Sequence, residues 1–371
     1  MLEHLELRDV GPAPSMRLDL APRLNVLAGD NGVGKTLLLE IAWWALAGSW
    51  PGFPAAPQRG EGVKPTLRWT DRRAADTYAI ESPYSFLDQQ WQNLHASRAA
   101  ADRPTPVFYA RADGGFSIWD PLRSTGSRHS PETFGAFHFS PQQTWDGLAA
   151  EGGAIRCNGL IRDWAMWQIQ RGPAFALLCR VVEGLSARPG EPMRPGTSTT
   201  RISIHDVRDI PTIDLPYGPV PVVHASAGMK RILALAYLMV WTWREHVEAA
   251  RLKNTPPSRS LVVLIDEVEA HLHPQWQRVL LPALLRVARE LSGVTDVQLL
   301  ATTHAPLVLA SLEPHFDDGE DALFHLDLDG GEVTVSKIPW ALRGDVSLWF
   351  TKAMLEPGRD VNASPRPSSV R

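Results

Sequence analysis

Residues 29 to 36 read Gly29-Asp30-Asn31-Gly32-Val33-Gly34-Lys35-Thr36, the spacing G-x-x-x-x-G-K-T. Glycines at these places let backbone N–H groups turn inward around an anion, and a helix N-terminus behind them adds positive potential. Lys35 would reach the β- and γ-phosphates of a nucleotide, and the Thr36 hydroxyl would ligate Mg2+. Further along, the apolar run Val262-Val263-Leu264-Ile265 ends in Asp266-Glu267. Asp266 would hold Mg2+, directly or through a water, and Glu267 would orient and polarise an attacking water. Thr302-Thr303-His304 follows a second apolar run, and a histidine there can donate to a γ-phosphate. Ala225-Ser226-Ala227-Gly228-Met229 opens a long helix, with Ser226 a plausible cap.

These residues need strands and helices to bring them together. Leu24 to Leu27 suits a buried strand and Leu37 to Leu46 a helix, the context a phosphate loop requires. Leu261–Ile265 is a continuous apolar run, suited to a parallel strand covered on both faces, and Val297 to Ala301 is expected to be another buried strand. Residues 2–9 and 16–20 alternate like half-buried strands, and residues 65–69 and 76–81 look like two more. A short helix is expected over 84–96. Strands are expected at 106–109, 116–119, 134–139, 202–205, 212–215 and 220–223. Apolar positions from Leu160 to Leu185 recur at helical spacing and give a helical hairpin over about 156–187, with 187–200 a loop. Helices are also expected over 226–250, 274–291 and 307–312, and a hairpin over 322–338.

Composition narrows the class. The chain has 371 residues, 44% hydrophobic and 21% charged, as a soluble globular protein does. A net charge of −4 gives no global basic character, so DNA binding would rest on a local patch. Two cysteines exclude a disulfide framework. No signal peptide and no apolar run long enough for a membrane span is present, so a cytoplasmic location with no membrane partner is expected. Fourteen tryptophans are expected to pack the core and the lid. His271 and His273 have no third ligand nearby and no zinc site is expected there.

In this order, the phrases Asp266-Glu267-Val268-Glu269-Ala270-His271-Leu272-His273-Pro274 and Thr302-Thr303-His304-Ala305-Pro306 resemble ABC-type ATPases. More narrowly they resemble the AAA-type ATP-binding proteins of the OLD, SMC and DNA-repair branch. The resemblance covers roughly residues 1–48 and 200–345. It implies an α/β P-loop NTPase fold: a mostly parallel central sheet, an antiparallel β-layer and an α-helical lobe. It implies ATP and Mg2+ as cofactors, with Gly29 to Thr36 as the Walker A loop, Asp266 and Glu267 as Walker B and catalytic base, and His304 as the switch histidine. Ser226 and Gly228 take the places of the signature's serine and second glycine, which contact the nucleotide of the other protomer. Glu269 to His273 takes the place of the D-loop. A Q-loop glutamine would be Gln142 or Gln143, with Gln90 a competitor. The usual signature is Leu-Ser-Gly-Gly-Gln, and Ala225, Ala227 and Met229 depart from it. Lys230-Arg231 just after it could hold phosphate or form a solvated face.

The expected organisation is an ATPase core at 1–140 and 200–350, with a β-rich insert at about 50–135. A helical lobe at 141–199 and a flexible tail at 356–371 complete it. The resemblance implies a head-to-tail homodimer whose ATP hydrolysis serves DNA maintenance or anti-phage defence. Relatives of the OLD type carry a TOPRIM nuclease, for which the residues after His304 are too few, so a nuclease or toxin effector would be a separate chain. An ATP-gated scaffold with little turnover is the alternative, and a transporter ATPase subunit a more distant one.

Overall fold

Leu261, Val263 and Ile265 of one strand face one hydrophobic cluster, and Val262 and Leu264 face another. A strand with period-2 side chains and no polar face must be covered on both sides, and this one lies inside an eight-stranded sheet. The computed structural model describes residues 1–73, 76–92, 105–124, 135–150, 152–187, 190, 192–291 and 295–339.

In chain order, β1 (Leu2–Val10) and β2 (Ala13–Asp19) lead into β3 (Leu24–Gly29), the loop, and α1 (Lys35–Ala47). β4 (Thr66–Arg73), β5 (Asp76–Ser85) and β6 (Gln90–Trp91) join β1 and β2 in an antiparallel sheet of order β2-β1-β4-β5-β6. α1 is buried almost all round, from Lys35 to Ala47, because it lies between this layer and the central sheet. β7 (Val107–Ala110), β8 (Phe116–Trp119), α2 (Pro121–Ser124) and β9 (Phe137–Phe139) follow, then α3 (Pro141–Asp146) and the small pair β10 (Leu148–Ala149) and β11 (Ile155–Cys157). The helical hairpin is α4 (Leu160–Gln170) and α5 (Pro173–Gly184). β12 (Arg194–Thr200), β13 (Ile210–Leu215) and β14 (Gly218–Pro221) form a three-stranded sheet, followed by the long helix α6 (Ala227–Leu252). The last part runs β15 (Ser260–Ile265), α7 (Pro274–Gln277), α8 (Leu280–Glu290), β16 (Asp296–Thr303), α9 (Pro306–Leu312), β17 (Asp321–Asp329) and β18 (Glu332–Ile338).

The central sheet has the order β18-β17-β3-β16-β15-β7-β8-β9. The pairings β17–β3, β3–β16, β16–β15 and β15–β7 are parallel, and the outer ones are antiparallel. The fold is therefore α/β, a mostly parallel core with antiparallel edges and a separate antiparallel layer. Tryptophans serve both clusters: Trp43, Trp44, Trp69 and Trp91 around α1, and Trp164, Trp167 and Trp241 on the lobe side.

Two buried polar clamps hold the sheet. Gln298 of β16 donates to the carbonyls of Leu2 and Ala21 and accepts from the Leu2 N–H at 2.9 Å, stitching β1 to the amino end of β16. His246 of α6 faces Asp120 at 2.9 Å through Nδ1 and accepts from the Ser258 N–H through Nε2 at 2.8 Å. The second contact fixes the ring as neutral with its proton on Nδ1.

The structure corrects several expectations. Residues 84–92 form no helix: β5 runs to Ser85 and returns as β6, turned by Ser85 Oγ on Asp88, with Tyr84 edge-on to Trp91. Residues 202–205 form a turn braced by Ser203 and Asp206, where Arg208 pairs locally with Asp206, leaving no partner for a strand. Within the expected loop 187–200, residues 194–200 are strand β12, paired with β13. The expected helix over 274–291 is broken at Arg278–Val279 into α7 and α8. The strand expected at 134–139 ends at Phe139, and Ser140 to Gln143 starts α3, where Ser140 and Gln143 make a reciprocal capping box. The expected tail from 356 lies outside the described residues.

Gln298→Ala is expected to remove the side-chain partner of the Leu2 backbone groups, while Asn25 still holds Ala21, and to cost about 1–3 kcal/mol. Urea unfolding of the two proteins checks this; an unchanged midpoint would show that the clamp is dispensable.

Candidate functional site

The carboxyl edge of the parallel strands gathers the chemistry-bearing residues. Gly29 ends β3, Asp266 follows β15, and Thr302, Thr303 and His304 close β16. β16 lies between the other two, so loops from three adjacent strands meet. Crevices at this edge are where open α/β sheets bind ligands.

The loop needs its glycines. Gly29 has φ 149, and a Cβ there would lie 2.2 Å from the Leu326 carbonyl oxygen. Gly34 sits in the left-handed region at φ 91 as the N-cap of α1, with no side-chain cap on the helix. The first N–H groups of α1 are therefore free of a competing side chain. Asp30, Asn31 and Gly32 are exposed and Val33 is buried. Lys35 curls back, its Nζ donating to the carbonyls of Gly29 at 2.7 Å and Asp30 at 2.6 Å. Burial lowers the Lys35 pKa, against the opposing pull of Glu269, Glu267, Asp266 and Asp30.

Asp266 is 1% exposed. Thr36 Oγ1 donates to its Oδ2 at 2.8 Å and Thr302 Oγ1 to its Oδ1 at 2.6 Å. Burial raises its pKa; the two hydroxyls and Lys35 pull the other way, while Glu267 adds to the rise. Thr302 Oγ1 also accepts the N–H of Glu267 at 2.8 Å. Glu267 itself is left-handed at φ 47, a strained conformation for a residue with a side chain. One threonine thus holds the Asp266 carboxylate and the Glu267 backbone. The hard oxygens of Thr36 and Asp266, adjacent at the phosphate loop, fit Mg2+, which takes few protein ligands and keeps waters and phosphate oxygens.

Around this pair the structure gives contacts that the sequence did not show, for Glu269 in the expected D-loop segment, for Arg231 and for Glu40. Glu269 is buried and touches Thr303 and His304. Arg231 is no solvated face: it is mostly buried, its Nη2 lies 3.4 Å from the Asp266 carbonyl, and burial lowers its pKa against Asp266 and Glu267. Glu40, one turn beyond Thr36 on α1, has its pKa raised by burial and then by Asp266. The only available signal for these was their nearness to the motifs in the chain.

Ser226, Gly228 and Gln142 stand apart; among the described residues no hydrogen bond joins them to Asp266, Lys35 or His304. Ser226 is exposed and caps α6 through the Met229 N–H at 3.3 Å. A Cβ on Gly228 would come within 3.0 Å of the His271 carbonyl, so this glycine also serves packing against its own chain. Gln142 donates to Asp146 at 3.3 Å, Gln143 is taken up by the capping box, and Gln90 lies in the outer hairpin. His273 caps α7 by accepting from Gln275 N–H.

A phosphate loop, two acids and a histidine on the carboxyl edge of a mostly parallel sheet define a P-loop nucleotide-binding protein. Residues 214–310, which hold the signature segment, the acids and His304, match the family model described as "AAA domain, putative AbiEii toxin, Type IV TA system". The "Retron Ec83 probable ATPase" of Escherichia coli is 32% identical over 139 residues, covering 36% of this chain and 21% of that one. The "Septu protein PtuA" of Bacillus thuringiensis is 22% identical over 329 residues, covering 82% of this chain and 72% of that one. Residues 214–310 are thus similar to an AAA domain, and part of the chain is similar to a probable ATPase. The match thus spans about a fifth of the retron relative's length. The SMC head domain from Thermotoga maritima, 12% identical, covers 91% of this chain and 99% of its own, with a TM-score of 0.47. Among the described residues, no helix is long and apolar enough to cross a membrane.

A carboxyl held above its ordinary pKa by the fold weakens the fold as pH rises through the ordinary carboxylate range, because the folded state binds the proton more tightly. Asp266→Asn is therefore expected to keep or raise the melting temperature of the nucleotide-free protein at neutral pH. It should abolish Mg2+-dependent stabilisation by ATP. Thermal unfolding with and without Mg·ATP checks both; a melting temperature well below wild type would show that the carboxylate is a net stabiliser.

Proposed function

We propose that the chain binds ATP with Mg2+ and hydrolyses it as a switch that times a separate effector. The observation that carries this is the linked set Thr36–Asp266–Thr302–Glu267, two hydroxyls fixing two acids beside a phosphate loop. Thr36 and Asp266 would hold the cation, which would neutralise charge on the β- and γ-phosphates. Lys35 would leave the carbonyls of Gly29 and Asp30 and turn to phosphate, joined by the backbone N–H groups of residues 29–36. Glu267, placed by Thr302, would accept a hydrogen bond from the attacking water. His304 would stand at the γ-phosphate side of the site.

Ser226 and Gly228 lie away from these residues, and Ser226 is exposed. That supports a composite site in which a second copy's Ser226 and Gly228 complete the pocket, a head-to-tail homodimer with two ATP molecules. Gln142 is proposed as the Q-loop residue, since α3 starts beside the β7–β8 turn: Gly114 faces Pro141, and Arg111 reaches the Phe139 carbonyl. The core is proposed to span 1–140 and 200–350 with the lobe at 141–199. The names of the retron and Septu relatives support a role in anti-phage defence with a nuclease or toxin partner, in the cytoplasm. DNA is a further candidate ligand, whose binding would weaken steeply with salt.

A second reading is an ATP-gated scaffold with little turnover. Ala227, where the signature usually has glycine, favours it, since a side chain hinders close backbone approach to phosphate.

Lys35→Ala should lose ATP binding. Glu267→Gln should keep it, lose about 10²–10⁴-fold in hydrolysis, and accumulate as an ATP-bound dimer by light scattering. A Glu267→Gln protein that stays monomeric with Mg·ATP would rule out the sandwich. A wild-type protein that dimerises with ATP but shows no turnover would favour the scaffold.

A further inference from the structure

Glu267 and Asp266 account for two of the three acids in the run Asp266-Glu267-Val268-Glu269. The third, Glu269, is 7% exposed, deeper than a turn residue at the end of a sheet needs to be. Its backbone is folded inward by a pair of tight turns. Ala270 N–H bonds the Glu267 carbonyl at 2.9 Å and Leu272 N–H bonds the Glu269 carbonyl at 2.9 Å. Left-handed residues at Glu267 (φ 47) and His271 (φ 61) bracket the segment.

Both carboxylate oxygens are used. Oε2 accepts from Thr303 Oγ1 at 2.7 Å. Oε1 accepts from the His304 N–H at 2.7 Å, and His304 Nδ1 lies 2.7 Å from the same oxygen. Thr303 Oγ1 in turn accepts from the Ala305 N–H at 3.0 Å, so its proton is committed to Glu269. An ionised carboxylate has no proton to give. The proton in the Glu269–His304 contact must therefore sit on Nδ1, and Nε2 is the ring nitrogen left for a ligand. The His304 side chain is 43% exposed, so that nitrogen is reachable. The charge of Glu269 also pulls the Lys35 pKa up, against the burial that lowers it.

We propose that Glu269 is the positioning residue of the switch histidine: its buried carboxylate holds His304 by the backbone N–H and the ring Nδ1–H together, fixing the neutral tautomer and leaving Nε2 as a hydrogen-bond acceptor on the γ-phosphate side of the site, where the attacking water rather than the phosphate can donate to it. This deepens the ATPase reading and rests on it for the role of His304. A histidine pinned through one nitrogen has its other nitrogen set in direction and protonation, the arrangement that orients metal-binding and catalytic histidines. An unpinned ring would rotate and exchange tautomers, and its Nε2 would be correctly placed only part of the time.

The test uses the full chain labelled with 15N-histidine, the His304 ring signals being assigned by comparison with His304→Ala. In the wild type the neutral ring should carry its proton on Nδ1, and in Glu269→Ala it should shift toward Nε2. A wild-type His304 protonated on Nε2, or a tautomer unmoved in Glu269→Ala, overturns the proposal. The wild-type measurement stands even if Glu269→Ala does not fold. Turnover gives the second arm. Glu269→Ala should lower kcat for ATP about 10–100-fold, as loss of an orienting partner does, with ATP affinity unchanged or tighter. Glu269→Gln, which keeps an acceptor for both N–H groups, should recover most of kcat. In a His304→Ala background, Glu269→Ala should cost almost nothing further; a full multiplicative loss there would contradict positioning. If His304→Ala alone leaves kcat unchanged, the switch-histidine reading fails, while the tautomer still judges Glu269.

Discussion

The structure turns on a carboxylate buried where it is costly to bury one. Asp266 is almost fully removed from water at the end of β15, and two threonine hydroxyls, from α1 and β16, bond its oxygens. Hydroxyl donors offset only part of the loss of hydration. The remaining compensation is positive charge, and the groups that face this acid are Lys35 of the phosphate loop and Arg231 of α6. Such a concentration of acids beside the loop would favour a divalent cation carried in with a nucleotide, since the cation would relieve the burial cost and a phosphate would satisfy Lys35.

That arrangement requires β3, β16 and β15 to stay in parallel register, since one residue of slip would turn Asp266 and Thr302 to opposite faces. The register is held from both ends. At the amino ends Gln298 joins β16 to β1 and the β2–β3 connection, while Asn25 of β3 clasps Ala21. At the carboxyl ends the Thr302 hydroxyl ties β16 to both Asp266 and Glu267. On the lobe side, the start of α6 lies against the loop after β15, Gly228 beside the His271 carbonyl and Arg231 beside that of Asp266. In the proposed dimer, the segment that meets the partner's nucleotide is thereby in contact with its own protomer's acids.

Much of this was readable in the residues because the informative signals are local. A glycine-rich loop between an apolar strand and a helix specifies its own backbone, and continuous apolar runs such as Val262–Ile265 leave no choice but a buried strand. The misread segments are those where tertiary partners decide. Tyr84–Gln92 has aromatic spacing compatible with a helix, but Trp91 packs across a hairpin on Tyr84 and Trp44. Residues 194–200 look like a Ser/Thr-rich loop until β13 supplies a pairing edge. Within the site, Lys35, Thr36, Asp266, Glu267 and His304 follow from motif order. Glu269 and Thr302 lie in the same motif phrases and Arg231 just after the helix start, but their contacts do not follow from motif order, because those are made across the fold. Polar residues inside apolar strands, Gln298 and Asn25, were the one visible hint of clamps.

The account stands or falls on what Asp266 and Thr36 hold. The most direct measurement is an experimental structure of the full-length Glu267→Gln protein with ATP and Mg2+. The account predicts Mg2+ in contact with Thr36 Oγ1 and with Asp266, directly or through one water. It also predicts Lys35 Nζ moved from the Gly29 and Asp30 carbonyls to phosphate, and a second copy's Ser226 at the γ-phosphate. A nucleotide bound elsewhere, with the Thr36–Asp266 bond intact and Lys35 still on the loop carbonyls, would contradict it.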